Sequence, residues 1–203
     1  MWKRLADPPG LAGRGGATLE GVKDKQGNFH LVLFSGFEGK ESKDFLSYSV
    51  DSDKWMVHSK PQGLEPRSVC SSFTISSSAL GENPNANVGE GEEKQELVVV
   101  FGGEVAPSER GHEGAGSFSD EVFVLNSSGE VQTVDVAIAE TKERINNNDE
   151  AAKSREKPEP RGWAYGASLT PNSGIFYGGL TGDDKNPTRL GDTWILTLSQ
   201  TSN

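Results

Sequence analysis

The densest cluster of chemistry-bearing side chains is the stretch Glu104-Val-Ala-Pro-Ser-Glu-Arg-Gly-His112-Glu113-Gly-Ala-Gly. Carboxylate and imidazole together suit non-haem iron or zinc, which makes Glu104, His112 and Glu113 candidate metal ligands. The competing reading is a shaped loop in which Glu104 pairs with Arg110 and the glycines permit tight turns. It takes precedence, because two ligand types on one loop do not complete a coordination set. Arg110 is also a candidate anion contact in its own right. Three further arginines, Arg14, Arg67 and Arg161, share one position in an internal repeat. They could form a cationic ring that holds an anionic ligand. A residue present in every copy more often serves the repeat, so bonds to backbone carbonyls between copies are the leading account. Cys70 lies in a small, hydroxyl-rich stretch and reads as a buried, inert thiol. No Gly-x-Ser-x-Gly, P-loop, dinucleotide fingerprint or zinc-type Cys spacing occurs.

The elements that would position these groups come from the repeat itself. Trp2 through Gly10 to Arg14 aligns without a gap on Trp55 through Gly63 to Arg67, and Pro160-Arg161 repeats Pro66-Arg67. After each Arg comes a stretch of small residues: Gly-Gly-Ala-Thr-Leu at 15–19, Ser-Val-Cys-Ser-Ser-Phe at 68–73 and Gly-Trp-Ala-Tyr-Gly-Ala at 162–167. An apolar run then ends in glycine at Ser35-Gly36, Gly102-Gly103 and Gly178-Gly179. Runs such as Leu-Val-Val-Val-Phe, 97–101, are apolar on both faces, as strands between two sheets must be. The glycines mark sharp turns that favour positive φ. An acidic residue opens the next strand at Asp44, Asp120 and Asp192, and Tyr48 is followed after six residues by Trp55.

Double glycine, Tyr-x6-Trp and turn acid together resemble the kelch repeat. The order of Arg14-Gly-Gly-Ala-Thr-Leu, Phe101-Gly-Gly-Glu104, Gly114-Ala-Gly116 and Pro160-Arg-Gly-Trp163 is similar to the last three blades of the kelch proteins that include the plant nitrile- and epithio-specifier proteins. The resemblance implies an all-β, kelch-type β-propeller of three four-stranded blades, half of a six-bladed ring. The expected blades are 14–58, 67–138 and 161–203, with 1–6 as an outer closing strand. Polar insertions are expected at 79–96 and 138–157, the second with room for a short helix. Specifier proteins use ferrous iron in glucosinolate aglycone breakdown. The resemblance brings that iron site to Glu41-Ser-Lys-Asp44-Phe-Leu46, where Glu41 and Asp44 match and Leu46 stands in place of a histidine. A galactose-oxidase-like copper site would need converging Tyr and His, whereas Tyr48, Tyr165 and Tyr177 all fall in strand patterns.

Composition narrows the partners. The net charge of -10 opposes phosphate backbones, so nucleic acid is excluded as a partner. A single cysteine precludes an internal disulfide and fits a reducing, cytoplasmic setting. No apolar stretch approaches the ~20 residues that span a bilayer, and no apolar segment follows the basic N-terminus as in a secretory signal. The expected function is a binding or interaction module without a cofactor, taking a protein or small-molecule ligand. The alternative is a specifier-like or other metal-dependent enzyme that uses iron(II). Three blades curve too sharply to close alone. The sequence therefore leaves open a longer six-bladed protein, an open half-ring, or a homodimer in which the Trp2 strand of each chain completes the other's third blade.

Overall fold

The computed structural model describes residues 1–80, 94–111, 114–134 and 157–198. Among these residues the chain is all-β, with thirteen strands, one 3-10 turn at Ser77–Leu80 and no α-helix. No helix among them is long and apolar enough to cross a membrane. Most of the two expected insertions, at 81–93 and 135–156, lies outside the described residues, as do His112, Glu113 and the C-terminal residues 199–203.

The first sheet is a meander of β1 (Thr18–Lys23), β2 (Phe29–Phe34), β3 (Phe45–Ser49) and β4 (Lys54–Val57). In the second, β5 (Ser71–Ser76), β6 (Glu96–Phe101), β9 (Val122–Leu125) and β10 (Val131–Val134) follow the same order. The third contains β11 (Tyr165–Thr170), β12 (Ser173–Gly182) and β13 (Pro187–Thr197). A two-stranded ribbon of β7 (Glu104–Ala106) and β8 (Ser117–Phe118) completes the set. All pairings are antiparallel. Two details differ from the sequence reading. The third sheet has three strands among the described residues, and residues 1–14 form no strand. The N-terminal segment is instead tied to the first sheet, where the Trp55 indole N–H donates to the Ala6 carbonyl at 2.8 Å. Pro8 and Pro9 also deprive it of two ladder donors.

The sheets pack face to face in chain order. β6 shows why its sequence is apolar throughout: Val98 and Val100 join the core with Val32, Phe34 and Phe45 of the first sheet. Leu97, Val99 and Phe101 join the core with Phe176 and Leu196 of the third. Aromatic rings close both seams, Phe34 edge-on to Phe123 at 5.5 Å and Phe101 stacked on Phe176 at 4.8 Å. The first strands of the three sheets meet along one side. There the Ser72 hydroxyl donates to Glu20 at 2.7 Å, and the Thr74 N–H donates to the Ser168 hydroxyl at 3.0 Å. Small residues are needed for this approach, since a Cβ on Gly166 would lie 2.4 Å from the Ser72 carbonyl oxygen.

Each apolar run ends in a pair of left-handed residues, with φ of 65° and 110° at Ser35-Gly36, 69° and 98° at Gly102-Gly103, and 68° and 108° at Gly178-Gly179. Ser35 alone carries a side chain in that conformation, at a cost of about 1 kcal/mol. Ser35→Gly should therefore raise stability by roughly 0.5–1 kcal/mol after the larger chain entropy of unfolded glycine is subtracted. Gly102→Ser should lower it by about 2–3 kcal/mol, because its Cβ would meet the Arg161 carbonyl oxygen at 2.4 Å. Urea-unfolding midpoints of the two variants provide the check.

Candidate ligand-binding site

The three repeated arginines make the same contacts in each unit. The Nε of Arg14, Arg67 and Arg161 donates to the carbonyl two residues earlier, that of Ala12, Glu65 and Glu159. A terminal nitrogen donates to the carbonyl of the first left-handed residue: Ser35 at 3.2 Å, Gly102 at 3.1 Å and Gly178 at 3.0 Å. The guanidinium then pairs with the acid that opens the third strand, Asp44 at 2.9 Å, Glu121 at 2.6 Å and Asp192 at 2.5 Å. Arg67 and Arg161 are fully buried and lie over Phe123 and Phe176. These guanidinium groups hold strand ends together and point into the protein. In the second unit the partner is Glu121, not Asp120, which instead pairs with Lys157 at 2.6 Å. The register follows from a hydroxyl cap: Ser119 accepts the Glu121 N–H as Ser42 accepts the Asp44 N–H.

Two residues after each arginine, Gly16, Val69 and Trp163 all have positive φ, at 60°, 49° and 62°. They form a chain of backbone hydrogen bonds from unit to unit, Val69 N–H to Gly16 carbonyl at 2.8 Å and Trp163 N–H to Val69 carbonyl at 2.8 Å. Left-handed backbone is costly for a β-branched residue, and such strain concentrates at functional positions. This ladder floors a cavity of about 800 Å³. Gly15, Gly16 and Phe37 line it from the first unit, Ser68 and Val69 from the second, and Trp163, Tyr165 and Tyr177 from the third. Glu104, Pro107, Ser108, Gly111 and Gly114 wall it. Ser108 donates to the Asp184 carboxylate, and Arg110 donates to the Asp184 carbonyl at 2.8 Å, which straps the segment to the β12–β13 hairpin.

Glu104 and Glu41 belong to two different candidate metal clusters in the sequence, and the structure brings them together. Backbone bridges join Ser42 to Arg67 and Ser68 to Glu104. Glu104 lines the cavity and accepts the Gly116 N–H at 3.2 Å. Glu41 is 8% exposed, and neither of its carboxylate oxygens has a well-formed hydrogen bond. Burial, with the Glu104 charge beside it, pushes the Glu41 carboxyl above the ordinary glutamate range, against the lowering effect of the Ser68 hydroxyl. Asp44 faces other partners. Burial raises its carboxyl, but hydrogen bonds from Lys60, Ser42 and Arg14 outweigh that and hold it down to about 2. Leu46 is buried in β3. No three of His, Cys, Asp and Glu gather to hold a metal among the described residues, which exclude His112 and Glu113.

His30 pairs with Asp24 at 3.0 Å, and His58 bonds the Ser47 hydroxyl at 2.8 Å, so both serve strand ends. Burial pushes the Cys70 thiol up to about 12, which keeps it protonated and unreactive. The cavity aromatics are the residues that sequence reasoning missed. For Trp163 alone a signal was available in the repeat, as the position two residues after Arg161; Phe37, Tyr165 and Tyr177 occupy no such repeated position. No protein-family model matches the chain.

The arginine contacts have a pH signature. The Arg161 hydrogen bond, countered by burial and helped by the Trp194 indole, holds Asp192 down to about 2. A depressed folded value means that the stabilisation is complete above the unfolded carboxyl's value near 4 and is lost as pH falls through about 2. Asp192→Asn should flatten the acid loss of stability between about pH 4 and pH 2. It should also cost about 3 kcal/mol at pH 7 by leaving Arg161 buried and unpaired. Denaturant unfolding across that range reads both effects.

Proposed function

We propose that the chain is a kelch-type β-propeller unit, a binding module that takes its ligand at the mouth formed by the ladder of Gly16, Val69 and Trp163. One observation carries the reading. Equivalent positions of all three units, tied to one another through backbone hydrogen bonds, line the same cavity of about 800 Å³. Repeats that stack head to tail around such a mouth, with arginine, left-handed pair and acid in register, support the kelch assignment. The size falls within the range of small-molecule sites, and aromatic planes with few polar groups suit a ligand with a broad apolar face. Fold alone does not name that ligand. In a thermal-shift screen of aromatic and glycosidic compounds, ligands should raise the melting temperature of the parent and lose at least about tenfold in affinity with Trp163→Ala. A screen with no stabilising compound, or with affinities indifferent to Trp163, would remove the reading.

A second reading, a metal-dependent small-molecule enzyme using iron(II), draws on Glu41. A buried carboxylate without a well-formed hydrogen bond, next to a second carboxylate, is a place where a cation would relieve unpaired charge. Anaerobic calorimetric titration with ferrous iron should then show stoichiometric binding that Glu41→Gln abolishes. Absence of heat in the parent, or binding that persists in the variant, overturns it.

A further inference from the structure

We infer that the mouth cavity takes a cationic ligand, an ammonium group on an apolar body, and that Glu41 and Glu104 are the carboxylates that balance its charge. The inference rests on the binding-module reading above and names the ligand class for that same site. Its basis is a short ladder at the seam of the first and second units, which is internal to the chain. Gly15 bridges to Phe37, Phe37 to Glu41, Ser42 to Arg67 and Ser68 to Glu104. Residues opposite one another in an antiparallel bridge project to the same side. Phe37 lines the cavity, so Glu41 stands on the cavity side of its own turn. The Glu38 N–H donates to the Lys40 carbonyl and the Ser42 N–H to the Gly36 carbonyl. That pattern makes Phe37 and Glu41 a non-hydrogen-bonded pair, the closer of the two antiparallel spacings. Ser68 and Glu104 both line the cavity, and the Gly116 N–H orients the Glu104 carboxylate.

Around Glu41 the cations serve other groups. Arg67, which precedes Ser68, is bonded to Glu121 at 2.6 Å and to the carbonyls of Gly102 and Glu65. Arg14 pairs with Glu38 and Asp44, and Lys60 also pairs with Asp44. Lys43, two residues along from Glu41, donates to the Leu64 carbonyl at 3.0 Å. Glu41 itself is buried, and neither carboxylate oxygen has a well-formed hydrogen bond. Burial and the Glu104 charge raise its hold on a proton, against the Ser68 hydroxyl, as expected where positive charge is short.

The rest of the lining suits the same ligand. Phe37 and Trp163 are exposed in the cavity and offer aromatic faces to an ammonium group. Arg189 lines the cavity from β13 of the third unit. It is exposed, so solvent and salt screen it more than they screen the buried Glu41. The net charge of -10 attracts a cation at longer range. Binding is linked to protons. A cation must take the place of any proton on Glu41, so its affinity rises with pH as Glu41 ionises. The groups beside Glu41 in this balance are Glu104, Arg67 and Cys70, of which the arginine stays charged and the thiol, raised to about 12, stays neutral.

Calorimetric titration of the 203-residue chain with benzylammonium, benzyl alcohol and benzoate, which share one ring and differ in charge, provides the test. Benzylammonium should bind at least about tenfold more tightly than benzyl alcohol, and benzoate more weakly still. Its affinity should rise from about pH 5 to about pH 8, a range in which the amine keeps its proton, with protons released at the lower end. Glu41→Gln should weaken benzylammonium at least about tenfold at pH 8 and flatten the pH profile, and Glu104→Gln should weaken it to a similar extent. Neither should change the affinity for benzyl alcohol, which reports an intact site in the same variant. Equal affinity for the three probes, a preference for benzoate or a pH-independent parent overturns the inference, and these parent readings suffice should a variant not fold. Benzyl alcohol binding that depends on Trp163 would in that case leave the binding-module reading standing. Absence of binding by all three probes also overturns the inference, and the thermal-shift screen then decides the binding-module reading separately. Ferrous iron binding that Glu41→Gln abolishes, with benzylammonium indifferent to that substitution, assigns Glu41 to a metal and overturns it as well.

Discussion

The structure depends on one repeated interaction, the buried arginine that joins a preceding carbonyl, the left-handed end of an apolar strand and a carboxylate on the next strand. A guanidinium suits this place because its donors lie in a fixed plane and can satisfy several acceptors at once. Where the backbone turns sharply at Ser35-Gly36, Gly102-Gly103 and Gly178-Gly179, carbonyls leave the ladder and need other partners. Arg14, Arg67 and Arg161 supply them. The carboxylates Asp44, Glu121 and Asp192 balance the charge so that burial is tolerated.

The same interaction sets the position of the candidate site. Each arginine anchors the residue two places on, so Gly16, Val69 and Trp163 fall in line and share hydrogen bonds across units. Their left-handed backbone turns the first strand of each sheet away from the arginine. Glycine adopts this at little cost, whereas Val69 is held in it by ladder bonds on both sides and Trp163 by its N–H bond to the Val69 carbonyl. The aromatic plane of Trp163 thus reaches the cavity from a strained position, on a framework tied at every seam.

Much of this was legible in the residues. Repeat spacing, apolar runs with no polar face and small residues after each arginine all pointed to stacked antiparallel sheets, and the turn glycines have the positive φ that their position demands. The preference for a backbone role of the arginines also came from their recurrence. Two readings were too coarse. The acid of the second unit is Glu121, since the Ser119 cap sets a register that a string of Asp120-Glu121 does not display. A closing strand at 1–6 was drawn from the Trp2 and Trp55 match, but strand formation needs a neighbouring edge, and Ala6 is engaged by Trp55 of its own first sheet.

The sequence alone determined the all-β class of fold and the residues that would serve the repeat, because those follow from local periodicity and from side-chain types that recur at fixed spacing. Only the tertiary structure decided which charged groups face one another. Glu41 and Glu104 are far apart in the chain and belong to different units, yet bridges from Ser42 to Arg67 and from Ser68 to Glu104 bring them to one place. Glu41 and Asp44, three residues apart, have separate partners. Proximity along a chain that turns at every glycine says little about proximity in space, and the electrostatics of a site depend on the second quantity.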